Sequence, residues 1–265
     1  MLDKLSQGYG NEQICFFTSD TVMSAVQRIG LSKSKGPDGL TAEHFRFAPP
    51  TVWGMLANLF NSCLAHSFLP KHLLDVNIMP ILKKKGLDCK KSQDYRPIAL
   101  ATAASKIFEH ALYEKIASNL TTGKWQFGYK AGHGTELAVL ALKSVVGIYK
   151  KKGTPVIATF MDASKAFDSV LHSKLCLKLL DRKVPVEIVR IIYQRCKTQN
   201  FKILWDGVLS RPFCTQKAVR QGGVLSPYFN ECLFTWMVWE HFCIIQELVV
   251  KLGRIFTTTI GTQMI

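Results

Sequence analysis

Apolar residues recur along this chain with two different periods, and each period predicts a different kind of element. Spacings of three and four residues, which place side chains on one face of a helix, predict helices over residues 21–29, 52–64, 104–119, 172–182 and 186–198. A further helix is expected to begin at Thr135 and to end near Tyr149. Short apolar runs bounded by turn residues predict strands at 76–82, 156–160 and 201–205. Asp206-Gly207 is predicted to be the turn of a hairpin that joins 201–205 to 209–213.

The run from Val156 to Phe160 has the composition of a central strand whose two faces are both covered. It leads directly to Asp162, and a carboxylate in that position is costly to desolvate unless it is hydrogen-bonded, paired or bound to a metal. Asp162 is therefore a candidate functional residue. The alternative reading of this segment alone is a strand-ending Asp that caps the following turn.

The strand at Val76–Leu82 is followed by Lys83 and two more lysines, and the chain returns through residues 95–100, which include Arg96. A hairpin with Lys on one side and Arg on the other is suited to hold a triphosphate or a backbone phosphate. A solvated turn or a localisation signal is the alternative for the triple Lys. Because helices and strands mix without regular βαβ alternation, the pattern predicts an α+β fold.

The chain has 265 residues, of which 48% are hydrophobic and 20% charged, as in folded globular domains. Its 34 Lys and Arg against 19 Asp and Glu leave a net charge of +15, which favours a polyanionic partner, nucleic acid first and a membrane surface second. The eight Cys are scattered without a zinc pattern, and no secretion signal is recognisable, so an intracellular protein is expected, with nucleus or cytoplasm left open. Acidic residues and a His interrupt the most apolar stretch, residues 232–250, which argues against a transmembrane segment.

Six short motifs then follow one another in a recognisable order. They are 36–39 (Gly-Pro-Asp-Gly), 80–83 (Pro-Ile-Leu-Lys), 95–100 (Tyr-Arg-Pro-Ile-Ala-Leu), 126–129 (Gln-Phe-Gly-Tyr), 160–170 (Phe-Met-Asp through Ala-Phe-Asp-Ser-Val) and 220–227 (Arg-Gln-Gly-Gly-Val-Leu-Ser-Pro). Together they resemble the reverse transcriptase (RNA-directed DNA polymerase) domain of non-LTR, LINE-type retrotransposons. The resemblance covers roughly residues 20 to 230.

The resemblance implies a right-hand polymerase fold that copies an RNA template from a DNA primer, or extends an RNA/DNA hybrid, with dNTPs and Mg²⁺. Asp162 matches the first palm aspartate, which binds both magnesium ions. Lys83 and Arg96 match the fingers cations that hold the triphosphate of the incoming nucleotide. Phe167 matches the aromatic gate under its sugar, and Gln221 and Gly222 match the loop that supports nucleotide and template.

The chain departs from the family after Pro227. The family supplies its remaining catalytic carboxylates from a hairpin with a Tyr-x-Asp-Asp motif, whereas no Asp follows Asp206 in this sequence. We therefore expect a lead at 1–18, a fingers-like region at 19–152, an incomplete palm at 153–230, a divergent tail at 231–265 and no thumb. The expected function is a catalytically dead reverse transcriptase fragment. The alternatives are a non-catalytic basic nucleic-acid-binding protein and a remnant without a selected function.

Overall fold

The computed structural model describes residues 17–84, 90–120, 127–128, 130, 132–153, 155–158, 160, 167–229 and 232. The chain divides into two compact units. The first unit comprises residues 1–120 and 167–233, and the second comprises residues 121–166 and 234–265.

The first unit mixes helices with a small sheet, which confirms a mixed helix and strand fold. Its helices are α1 (Ser19–Arg28), α2 (Ala42–Arg46), α3 (Pro50–His66), α4 (Lys71–Leu74), α5 (Ala103–Ile116), α7 (His172–Asp181) and α8 (Val186–Thr198). Its strands are β1 (Asp75–Leu82), β2 (Tyr95–Ala101), β3 (Asn200–Trp205) and β4 (Val208–Leu209). The bounds of the longer helices follow the predicted apolar periods closely, and α8 has the predicted bounds, whereas the short helices α2 and α4 lie outside the predictions.

The start of α1 differs slightly from the prediction, which began this helix at residue 21. The N-cap is Thr18, whose extended backbone lets its hydroxyl accept a hydrogen bond from the Thr21 amide at 3.3 Å. A side-chain oxygen in that position satisfies one of the amides that the first helical turn leaves without a carbonyl partner.

The main core of the first unit lies between α1, α3, α5, α7 and α8. At its centre the rings of Phe60 and Phe108 pack with centroids 4.8 Å apart, and Phe17 meets both rings edge-on at 6.0 Å. All three side chains are buried. Aromatic rings prefer such tilted and edge-to-face arrangements, so this cluster anchors the helical layer.

The sheet has the strand order β2-β1-β3-β4. β1 pairs antiparallel with β2 and parallel with β3, and β3 pairs antiparallel with β4 across the Asp206-Gly207 turn. One sheet face contributes a second, small core of Val76, Ala99, Ala101 and Phe201. Both predicted hairpins are therefore present, and β2 forms one edge of the sheet.

The Gly-Pro-Asp-Gly segment forms a tight turn that packs on the start of α5. The Gly39 amide donates to the Gly36 carbonyl at 3.1 Å. A Cβ at Gly36 would lie 2.5 Å from the Ala101 carbonyl oxygen and 2.8 Å from the Thr102 Cα, so only glycine allows this close backbone approach.

Described residues of the second unit include helix α6 (Thr135–Lys151), which begins at the predicted residue. Before it, the rings of Phe127 and His133 lie 5.7 Å apart. Several apolar side chains of α6 are exposed, among them Leu140 and Ile148.

The prediction of a strand at Val156–Phe160 is wrong for the described residues of this segment, which have no regular secondary structure. The side chain of Ile157 is 91% exposed and that of Phe160 is 80% exposed. A strand requires a hydrogen-bonded neighbour, and an apolar run without one gains neither ladder hydrogen bonds nor burial. Asp162 itself lies outside the described residues.

Among the helices of the described residues, none combines the length and apolar composition that a membrane span requires.

The close approach at Gly36 predicts the effect of adding one methyl group. Gly36→Ala should lower the free energy of unfolding by about 1–3 kcal/mol, because the new Cβ meets backbone atoms that cannot rotate away. Gly54→Ala is the matched control, since Gly54 lies inside α3 with open space around its Cα and should gain about 0.5–1 kcal/mol. Urea unfolding followed by circular dichroism measures both, and equal stabilities of the two variants would contradict the packing at Gly36.

Candidate nucleotide-binding site

The β1–β2 hairpin positions the two predicted triphosphate ligands. Arg96 lies opposite Ile81 in the register, and it is exposed. Lys83 follows β1 directly, where its amide donates to the Asp94 carbonyl at 2.9 Å. Its ammonium donates to the Gln93 carbonyl at 2.6 Å, so the side chain also holds the turn together. Both cations therefore lie near the turn end of the hairpin.

The Gln221-Gly222 loop lies against the free edge of β2. The Ala99 amide donates to the Gln221 carbonyl at 2.8 Å, which satisfies a backbone donor on an edge strand. Gly222 has φ +98°, and a Cβ there would lie 3.2 Å from the Ala99 carbonyl oxygen. Glycine is thus needed both for the backbone conformation and for the contact with the strand.

Phe167 joins the same loop from a distant part of the sequence. Its carbonyl accepts from the Val219 amide at 2.9 Å, two residues before Gln221. Next to this bond, the Ala218 amide donates to the Val170 carbonyl at 2.9 Å. His172 Nε2 in turn donates to the Ala218 carbonyl at 2.8 Å. The Phe167 ring is partly buried and packs against the main core. Arg96, Phe167, Gln221 and Gly222 therefore belong to segments that hydrogen bonds connect.

A buried carboxylate of α5 holds the Gln221-Gly222 loop in place through hydrogen bonds. Glu109 of α5 is 1% exposed, and its Oε1 accepts from both Arg195 of α8 and Arg220 of the loop. Its Oε2 accepts from the amides of Val224 at 2.6 Å and Leu225 at 3.1 Å. Four donors thus compensate the desolvation of one carboxylate, as burial of a charge requires. The network joins two helices to the two ends of the Gln221-Gly222 turn.

The two guanidinium groups are also buried, and burial lowers the pKa of both Arg195 and Arg220 from the usual arginine range. Arg195 also donates to the Ser105 hydroxyl at 3.2 Å, and Ser105 in turn donates to the Leu73 carbonyl at 2.9 Å. The network thereby reaches from the loop to α4, the short helix directly before β1. Arg220 Nη1 is buried without a hydrogen-bond partner among the described residues.

Asp162, the predicted metal ligand, lies outside the described part of the chain. Asp168, six residues later, is exposed in a turn. Within the described ranges, no three His, Cys, Asp or Glu side chains come together as a metal site would require.

Sequence reasoning missed Glu109 and Arg195. The available signal is that Ser105, Glu109, Leu112 and Ile116 share one helical face by their spacing, and all four are buried. A carboxylate among inward-facing apolar positions indicates a buried ion pair, but the sequence does not identify its partners.

Residues 82–240 match the family model described as reverse transcriptase (RNA-dependent DNA polymerase), so the match continues past Asn230, where the recognisable motifs end. The chain is similar to the RNA-directed DNA polymerase from mobile element jockey of Drosophila melanogaster, with 26% identity over 79% of this chain and 23% of the relative. The Drosophila funebris counterpart is 28% identical over 79% of this chain and 23% of that relative.

A third relative is the retrovirus-related Pol polyprotein from type-1 retrotransposable element R2 of Nasonia vitripennis, which is 26% identical over 75% of this chain and 19% of its own length. The chain thus spans about a quarter or less of the length of these relatives.

The buried network predicts a large difference between two glutamates of the same helix. Glu109→Ala should lower the free energy of unfolding by about 3–5 kcal/mol, because it leaves two buried guanidinium groups and two amides without their acceptor. Glu114→Ala, also on α5, breaks a partly exposed pair with Arg28 of α1 and should cost about 1 kcal/mol or less. Urea unfolding measures both, and similar losses would contradict a structural role for the network.

Proposed function

The chain belongs to the reverse transcriptase (RNA-dependent DNA polymerase) family, and we propose that it is the part of a non-LTR retrotransposon polymerase that holds the incoming nucleotide and the template. The observation that supports this most directly is the hydrogen bond from Ala99 to Gln221, which ties the hairpin that carries Arg96 to the Gln221-Gly222 loop. Two motifs more than a hundred residues apart are thereby combined in one surface.

Lys83 and Arg96 bind the triphosphate of the incoming dNTP in this proposal. Lys carries three donor hydrogens and uses one for the Gln93 carbonyl, so it retains donors for phosphate oxygens. Arg96 is exposed on the strand and offers a planar fork of donors. Two cations near one another neutralise charge on phosphate, which also favours the phosphoryl-transfer transition state.

The other side of the nucleotide is bound by the loop. Gly222 lets the backbone approach a ligand closely, and the buried network holds the loop in one conformation. Phe167 is the aromatic residue under the sugar that excludes a 2′-OH. Its partial burial against the core supports a fixed position for the ring.

Asp162 is the proposed first catalytic carboxylate and Mg²⁺ ligand. Magnesium prefers oxygen ligands, and a centre that holds two ions about 4 Å apart needs several carboxylates. The donor set of these 265 residues does not fit such a centre, because no Asp follows Asp206 and the described residues bring no acidic cluster together. We therefore derive no catalytic step through magnesium, and binding is the function that we assign to this chain by itself.

In the right-hand description of polymerases, residues 19–152 form the fingers-like region and residues 153–230 part of the palm. Residues 1–18 precede them, and residues 231–265 form the tail, of which residues 231–240 still lie within the family match. The RNA template, DNA primer and dNTP are the proposed ligands of the first two regions.

Primer extension tests the proposed lack of catalysis. With poly(rA)/oligo(dT), dTTP and Mg²⁺, the chain is expected to incorporate no more dTTP than its Asp162→Ala variant, because the remaining catalytic carboxylates are absent from its sequence. Extension that Asp162→Ala abolishes would overturn this expectation and would show that Asp162 finds other carboxylate partners.

Nucleotide binding tests the role of the hairpin cations. Arg96→Ala should weaken binding of dTTP at least about tenfold in calorimetric titration, because a charge-assisted hydrogen bond to phosphate contributes about 1.5–3 kcal/mol. Lys71→Ala, which removes an exposed cation from α4, is the matched control and should bind dTTP like the unaltered protein. Arg96→Ala and the unaltered protein should bind thymidine, which has no phosphates, with the same affinity. Weaker binding of thymidine by Arg96→Ala would contradict a phosphate contact.

A further inference from the structure

The two faces of the sheet differ in what they present at the turn end of the β1–β2 hairpin. Side chains alternate between faces along a strand, so Tyr95 and Arg96 lie on opposite faces. The register places Tyr95 opposite Leu82 and Ala99 opposite Ile78, so Tyr95 shares its face with the small core. This face is buried at Val76, Ala101 and Phe201, whereas towards the turn Leu82, Ile203 and Trp205 are exposed.

An aromatic pair lies in the exposed half of this face. The rings of Tyr95 on β2 and Trp205 on β3 meet across β1 with centroids 5.2 Å apart and an interplanar angle of 62°. Trp205 is 50% exposed, and its β4 neighbour Val208 is more exposed still. The core of the first unit does not use this pair, since the small core on the same face is formed by residues nearer the other end of the strands.

The surroundings of the pair are basic. Three exposed lysines that the proposed nucleotide site does not use lie at or beside the hairpin turn that precedes Tyr95, namely Lys84, Lys90 and Lys91. The acidic residues closest in sequence to the two rings are Asp94 and Asp206. Cations therefore outnumber acids around the aromatic pair, in a chain whose net charge is +15, and a polyanion is the partner that this charge favours.

We propose that Tyr95 and Trp205 form a stacking platform for unpaired bases of single-stranded nucleic acid, on the sheet face opposite Arg96. Exposed aromatic rings beside a basic surface are the combination that binds single strands, because every base has a face that can stack. The inference rests on the proposed function in that it takes nucleic acid as the ligand. It adds a binding surface separate from the nucleotide-binding residues, on which a strand continues beyond the site.

Fluorescence anisotropy with a fluorescein-labelled oligouridylate of about 16 nucleotides tests this platform. Trp205→Ala should weaken binding about tenfold, because loss of one base–aromatic stack has an effect of that size. The dependence of affinity on salt should keep the slope of the unaltered protein, since no phosphate contact is removed. Phe47→Ala is the matched control, because Phe47 is a highly exposed aromatic residue at the end of α2, away from the sheet, and should leave the affinity unchanged.

Two further measurements separate stacking from a loss of structure. Trp205→Leu keeps an apolar side chain without an aromatic face and should weaken binding as Trp205→Ala does, whereas Trp205→Phe should bind within about threefold of the unaltered protein. A hairpin RNA duplex of the same length offers few unpaired bases, so Trp205→Ala should leave its affinity unchanged. Equal losses for single strand and duplex would overturn the proposal.

The remaining outcomes distinguish this inference from the proposed function. Unchanged single-strand affinity in Trp205→Ala and Trp205→Leu overturns the platform and leaves the proposed function standing. Absence of RNA binding by the unaltered protein at low salt overturns both. Self-association that Trp205→Ala abolishes, with RNA binding intact, would assign this face to a contact between protein molecules and would overturn the platform.

Discussion

The buried carboxylate of Glu109 is the constraint on which the arrangement of the first unit depends. A charge with 1% exposure is tolerated only when its lost hydration is replaced, and here two guanidinium groups and two backbone amides replace it. These donors come from α8 and from the loop after Arg220, so the carboxylate can be satisfied only when both are docked against α5. One desolvation requirement thereby couples helix packing to loop conformation.

The candidate nucleotide-binding site follows from this coupling. Once the loop is docked, its Gln221 carbonyl meets the edge of β2, and Val219 meets the carbonyl of Phe167. The site is therefore built from a sheet edge, a loop and a turn that are far apart in sequence, held by backbone hydrogen bonds of 2.8–2.9 Å. Backbone contacts of this kind depend little on side-chain identity, whereas Gly36 and Gly222 are required because each meets neighbouring backbone closely.

Side chains alternate between the two faces of a strand, and this alternation separates two proposed roles on one hairpin. Arg96 and Tyr95 are adjacent in sequence, yet the pleat directs them to opposite faces. One face carries the cation proposed for the triphosphate, and the other carries the aromatic pair proposed for unpaired bases. The chain belongs to the reverse transcriptase family, and the two roles remain separate proposals for the two faces of this hairpin.

Local pattern in the sequence determined the helices and hairpins. The apolar spacing over 186–198 predicted α8 with its observed bounds, and Asp206-Gly207 predicted the β3–β4 turn. The candidate residues Lys83, Arg96, Phe167, Gln221 and Gly222 came from short motifs in a characteristic order.

The tertiary structure decided which features depend on contacts between segments that are distant in the sequence. Val156–Phe160 has the composition of a strand, but its described residues form none, because a strand also needs a neighbour. Glu109 lies 86 residues from Arg195 and 115 from Val224, so its partners depend on which distant segments the fold brings within hydrogen-bond reach. The spacing of apolar residues depends only on residues close together in the sequence, so it can be read from the sequence. The donors that compensate a buried charge come from distant segments, so they depend on the whole fold.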